Sequence, residues 1–382
     1  MDHYPYAGRE LEKALKLQIT PLQREHEKKL IQFRMKLQRI VDRIGGDVPE
    51  LAVPKRILAR ELDKDQRILL NEALTLPYAE RNVMQQQALK EVLIQEADPP
   101  EHMVPLAPVF EERGLTATFS TNEIHAACGE WAKKERVFWL RARVAEKVAL
   151  VCEGLNAVDL MPHIEDCWRH EEVQRGLYIR RIIDFAQRYE EYEWDWQQVR
   201  MAARSFTASS PGLAGHMAGA AVDFRAREQK GEKAFLPLGN DYPEGGAACS
   251  IDFPYITLEE WETRTLFTVV ARLAGLKLLP TEDWHASHGD RGLGMDGTVR
   301  MLQAIYGPVQ DFDPASGAVV LYPATARRED EFLDDWTIEE LVDLARRRKD
   351  PADIRPNEYP YQLTVVELAN QARELMGIRT RT

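Results

Sequence analysis

The segment GHMAGAAVDFRA, from Gly215 to Ala226, constrains this chain more than any other stretch. A histidine stands second in it, and small residues follow. An aspartate stands seven positions after the histidine, on a stretch, AVDFRA, that reads as a short strand. Gly219 and Ala221 leave room around His216. Most of the remaining sequence reads as charged helices, so the fold must bring a small sheet and many helices together. That is an α+β arrangement, without regular βαβ alternation.

The chain has 382 residues, more than one compact core usually holds, and 44% of them are hydrophobic. Its net charge of −12 argues against nucleic acid as a main partner, because phosphate binding needs a basic face. No apolar run reaches the roughly 18 residues of a membrane span. The start, MDHYPYAGRELEKALKLQ, lacks the pattern of a secretory signal. Cys128, Cys152, Cys167 and Cys249 are scattered, with no CxxC pair. Together these features predict a cytoplasmic protein with reduced thiols and no membrane partner.

In LQREHEKKLIQFRMKLQRIVDRIGG, the residues Leu30, Phe33, Leu37, Ile40 and Ile44 form one helical stripe, and Gly45-Gly46 supplies a stop. The stripe serves either packing within the chain or a homodimer through the N-terminal helices. The next helical stretch is predicted to break near Pro77, and ADPPEHMVPLAP to mark a domain boundary. A long helix is predicted from Thr121 or Asn122 through TNEIHAACGEWAKKERVFWLRARVAEKVALVCEGL. AVDLMPHIEDCW then reads as a strand, HEEVQRGLYIRRIIDFAQRYEEY as a helix, and TLEEWETRTLFTVVARLAGL as a helix ending at Gly275. Two further helices follow near the end, TIEELVDLARRR with Thr337 as cap and LTVVELANQAREL.

TEDWHASHGD offers a second chemical block. Glu282 precedes His285 by three residues. A carboxylate at that spacing can sit beside a metal without binding it, as a base for a water requires. Two histidines, one aspartate and an open position suit a catalytic zinc, whereas structural zinc usually takes four ligands rich in cysteine. The plainer alternative is a core histidine and an ordinary strand aspartate. His288 reads as an exposed loop histidine, and Cys167 as an inward-facing strand residue.

H-x-x-G-x-A-x-D at His216, Gly219, Ala221 and Asp223, followed by E-x-W-H at Glu282, Trp284 and His285, resembles the zinc D-alanyl-D-alanine dipeptidases and carboxypeptidases. DCWRHEEVQRGLY at 166–178 is similar to that family's DGYRPxEVQ segment, with Arg169 as its arginine. The resemblance covers roughly residues 125–290. It implies a small antiparallel sheet flanked by helices, the core shared with peptidoglycan endopeptidases and the hedgehog domain. It further implies one Zn2+ held by His216, Asp223 and His285, with Glu282 as base and Arg169 facing the oxyanion. Asp241 or Glu244 is expected to hold the substrate's amine. The implied substrate is a short peptide or peptidoglycan fragment containing D-amino acids. The alternatives are an L-Ala–D-Glu type endopeptidase, or a binding protein on the same scaffold. The expected organisation is an N-terminal helical region (1–105), a catalytic domain (106–308) and a C-terminal helical extension (309–382). WRH stands where the family has YRP, and Ala214-Gly215 where it has a serine.

Overall fold

The computed structural model describes residues 9–90, 92–121, 135–192, 195–230, 234–243, 245–291, 303–323, 331–347 and 363–377. The N-terminal part holds α1 (Arg9–Ala14), β1 (Ile19–Pro21), α2 (Glu27–Ile44), β2 (Arg56–Leu58), α3 (Lys64–Lys90) and β3 (Leu93–Ile94). Then come β4 (Met103–Pro105), α4 (Leu106–Glu112), β5 (Thr118–Phe119), β6 (Trp139–Arg141), α5 (Ala142–Asn156), β7 (Leu160–Asp166), α6 (Glu171–Tyr192) and α7 (Trp196–Phe206). The chain continues through β8 (Ala221–Glu228), α8 (Leu258–Leu273), β9 (Lys277–Leu279), β10 (Glu282–Ser287) and β11 (Gln303–Ala304). It closes with β12 (Val309–Phe312), β13 (Val319–Leu321), α9 (Ile338–Arg347), β14 (Leu363–Thr364) and α10 (Val365–Leu375).

The fold is mixed α and β. Its main sheet has six strands in the order β14-β5-β7-β8-β10-β9. The expected antiparallel pattern holds for four of its five pairings, but β5 runs parallel to β7, so the sheet is mixed. The edge strand β14 comes from the C-terminal part, and α10 behind it packs on α4.

Local signals set several boundaries. Thr257 caps α8 in a reciprocal capping box with Glu260, and Gly275 follows its end at φ +76°. Thr337 and Thr364 do the same work for α9 and α10. Gly45 ends α2 at φ +87°. The α2 stripe is spent within the chain: Phe33, Leu37 and Ile40 are buried, and α2 packs on α5 and α8.

Two expectations fail. The first part of the long helix predicted from Thr121 or Asn122 (122–134) lies outside the described residues, but its middle is a strand. Trp139–Arg141 pairs antiparallel with β4, and the helix starts only at Ala142. Bulky aromatic residues suit a pleated surface, and Trp139 stacks near Phe312 at 4.9 Å between ring centres. The backbone N–H of Arg141 goes to the Gly219 carbonyl (2.9 Å) in place of a helical partner. The break at Pro77 is also absent, since α3 continues through it. A proline there costs about 3 kcal/mol. Burial of Leu70, Leu74 and Tyr78 on the same helix, at about 1.5–3 kcal/mol for each large apolar side chain, outweighs that.

The expected boundaries near 105 and 308 do not interrupt the core. One apolar cluster joins Phe33 and Leu37 to Phe224 and Phe267, and to Leu341 and Leu368. Cys152, Cys167 and Cys249 are buried free thiols, and Cys128 lies outside the described residues. Among the described residues no helix is long and apolar enough to cross a membrane.

Candidate metal centre

Strand register builds the site. Asp223 on β8 is the cross-strand partner of His285 on β10, and on its other side of Asp166 on β7. Partners in register share a face and stand close together. His216 reaches the same place from a tight turn before β8, closed by Gly219 N–H to His216 C=O (3.0 Å). Gly219 takes φ +65°, and a Cβ on it would stand 2.7 Å from the Met103 sulfur. A Cβ on Gly215 would overlap the Asp290 carboxylate. So the glycines of this segment serve close packing of the turn against Met103 and Asp290.

Glu282 and His285 are three residues apart, which on a regular strand would put them on opposite faces. A register shift against β9 between Glu282 and Ala286 brings them to the same side. The Glu282 Oε2 atom lies 3.5 Å from His285 Nδ1.

Three atoms converge. His216 Nε2 lies 3.1 Å from Asp223 Oδ1 and 3.1 Å from His285 Nδ1, and His285 Nδ1 lies 3.0 Å from Asp223 Oδ1. These three residues form the buried group among those described that could hold a metal ion. Ligands about 2.0–2.1 Å from a tetrahedral zinc stand roughly 3.3 Å apart, close to this triangle. Two imidazoles and a carboxylate also suit zinc chemically, and no described cysteine enters the set. The residues therefore fit a metal ion.

The surroundings orient each ligand. His216 Nδ1–H donates to the Cys167 carbonyl at 2.6 Å, which turns the Nε2 lone pair towards the centre. The outer oxygen of Asp223, Oδ2, accepts from Arg169 Nη2 (2.7 Å) and from the Tyr242 hydroxyl (3.1 Å). Arg169 also donates through Nε to Asp166 (2.7 Å) and through Nη1 to Gln174 (3.3 Å). It is thus tied to Asp166, the pairing that would steady this turn, and to a ligand of the centre at once.

Charge follows from these contacts. Burial opposes ionisation of Asp223, but His216, Arg169 and the hydrogen bonds hold it well below the usual carboxylate range. Burial, with Arg169, lowers the His216 pKa, so its imidazole is neutral and ready to ligate. Burial pushes Glu282 up to about 7 against the pull of His285. The Glu282 side chain keeps 19% of its surface exposed, against 2–9% for the three ligands, so it stands on the open side of the centre.

The tryptophan and histidine of DCWRH replace the proline with contacts of their own. Trp168 Nε1–H donates to the Met217 carbonyl (3.2 Å), pinning this segment to the histidine turn. His170 Nδ1 accepts from the Glu172 N–H (3.1 Å) at the start of α6.

Asp241 is not at the centre. Its carboxylate is 66% exposed and pairs with Arg67 at 3.2 Å. Glu244 lies outside the described residues. The residue of that segment which reaches the centre is Tyr242, packed edge-on against Trp284. No local pattern marks it, because its contact with Asp223 depends on the fold of the intervening chain. His288 is half-buried and takes no part in the triangle. Cys167 contributes its carbonyl and not its sulfur.

No known family model matches this chain, and no curated protein matches it.

Proposed function

We propose that the protein is a zinc peptidase hydrolysing short peptides with D-amino acids, such as D-Ala-D-Ala or cell-wall stem fragments. The observation that carries this reading is a three-ligand centre with a carboxylate beside it that is not a ligand. Bound zinc would polarise the scissile carbonyl and make water a nucleophile near neutral pH. His216, Asp223 and His285 would hold the ion. Glu282 would accept the proton of the attacking water and return it to the leaving amine, work that suits a group titrating near 7. Three N–H groups of Arg169 are engaged by Asp166, Gln174 and Asp223. A guanidinium has five, so two remain for a developing oxyanion. The preference for D-residues rests on the resemblance of the three sequence blocks alone.

The test is metal content of the purified protein, together with release of free amino acids from a panel of D,D-, L,D- and L,L-dipeptides. About one zinc per chain and turnover of a D,D-dipeptide are expected. A fully loaded protein that cleaves no member of the panel overturns the peptidase reading.

A further inference from the structure

Arg181 on α6 is a cation with no anion beside it among the described residues. Of the other α6 arginines, Arg175 pairs with Asp335 (3.2 Å) and Arg180 with Asp184 (2.8 Å). Arg181 has no carboxylate within ion-pair distance among the described residues. It donates from Nη2 to the Pro243 carbonyl at 3.3 Å. A half-buried guanidinium has given up part of its hydration, and a carboxylate normally compensates for that.

Its place in the fold is specific. Arg181 follows Gln174 by seven residues, two helical turns or about 10 Å along the same face of α6. Gln174 accepts from Arg169, so this face looks onto the metal centre. Across from it runs the segment of Tyr242, whose hydroxyl is bound to Asp223. The Arg181 guanidinium lies over Gly245 in that segment, where any Cβ would overlap it. Its charge is also felt at Glu282. The guanidinium therefore stands on the Glu282 side of the centre, held by one carbonyl, with most of its five donors unengaged among the described residues.

We propose that Arg181 binds a carboxylate of the substrate at the rim of the metal centre. This rests on the peptidase reading and narrows it to peptides that carry such a carboxylate. The planar fork of the guanidinium matches a carboxylate in bidentate fashion. The group is either the free C-terminus of the peptide or an acidic side chain, such as that of a D-glutamyl residue.

The test is calorimetric binding of phosphinate dipeptide mimics to the zinc-loaded full chain. One pair of mimics differs only in a C-terminal carboxylate against its amide. A second pair, both C-terminal amides, differs only in a glutamyl against a glutaminyl side chain. Wild type should bind the acid of one pair at least tenfold more tightly than its amide, and that pair identifies the source of the carboxylate. Arg181→Gln keeps a donor for Pro243 without the charge. It should abolish the preference and leave the amide affinity unchanged, and Arg181→Lys should restore part of it. Equal wild-type binding of acid and amide in both pairs overturns the Arg181 assignment alone, as does a preference that survives in Arg181→Gln. A wild type that binds no mimic overturns the peptidase reading and this proposal with it.

Discussion

Glu282 and Glu165 have opposite environments, and each makes a prediction. Glu282 has His285 at 3.5 Å, and burial raises its pKa against the pull of that histidine. As a base that is not a ligand, Glu282→Gln should keep the metal and lose about 10²–10⁴-fold in kcat. A variant with full metal and near-wild-type kcat removes Glu282 from the mechanism. Glu165 on β7 is the reverse case. Burial disfavours its charge, but His163, Arg225 and the Ser120 hydroxyl (2.5 Å) together hold it down to about 2. Arg225 Nε donates to it at 2.6 Å. Its folded pKa lies below an unfolded value of about 4.3. So Glu165 contributes stability above that value, lost as pH falls from there through about 2. The contribution is on the order of 3 kcal/mol. Glu165→Gln should lower the stability seen in urea at pH 7 and flatten its fall between pH 5 and pH 3. An unchanged slope would show that other carboxylates carry the acid sensitivity.

The elements explain what the N-terminal helices do for the centre. Asn71 on α3 is buried, accepts from the Ala248 N–H (2.8 Å) and donates to the Gly245 carbonyl (3.2 Å). Thr75, one turn on, accepts from the Ala247 N–H (3.3 Å). Gly246 lies at φ +131°, and a Cβ there would stand 2.6 Å from Asn71 Oδ1. Helix α3 thus pins the segment that carries Tyr242. Asn71→Ala leaves two backbone groups without partners and should cost about 1–3 kcal/mol in chemical denaturation. Metal affinity should fall with it. Wild-type metal affinity in a destabilised Asn71→Ala would show that the clamp does not reach the centre. This division also explains what the sequence makes legible. The cap at Thr337, the stop at Gly45 and the stripe of α2 are local, and they read correctly. His216 and Asp223 read correctly because one short segment carries both. β6, Pro77 inside α3 and Tyr242 do not read from the sequence. Each is decided by a distant partner: β4 for the strand, the buried flank of α3 for the proline, and Asp223 for the tyrosine. The expectation for Asp241 missed for the same reason, since nothing local distinguishes a side chain paired with Arg67 from one turned to the centre.

At the scale of the whole molecule, the question is whether 382 residues unfold as one body or as the three regions that composition suggested. The core runs unbroken from α2 through α5 and α8 to α10. β14 completes the edge of the sheet that holds Asp223, and α3 clamps the segment beside it. Parts that share one core and one sheet should unfold together, and the metal then acts as a reporter of how far that cooperation extends. A ligand at about 100 times its Kd stabilises the folded state by about 2.7 kcal/mol. Unfolding entropy is about 2.1 cal/mol/K per residue, which for the whole chain gives about 0.8 kcal/mol/K. Zinc should therefore raise a single melting transition by about 3 °C over the chelator-treated protein. Were the first hundred residues an independent unit, calorimetry would show two transitions and zinc would move only one. The smaller entropy of the remaining residues would then make that one shift larger, about 4–5 °C. His216→Ala separates this linkage from any general effect of zinc on the unfolded chain. It should melt at one temperature with or without the ion, and a shift that persists in that variant would mean that zinc acts elsewhere on the molecule.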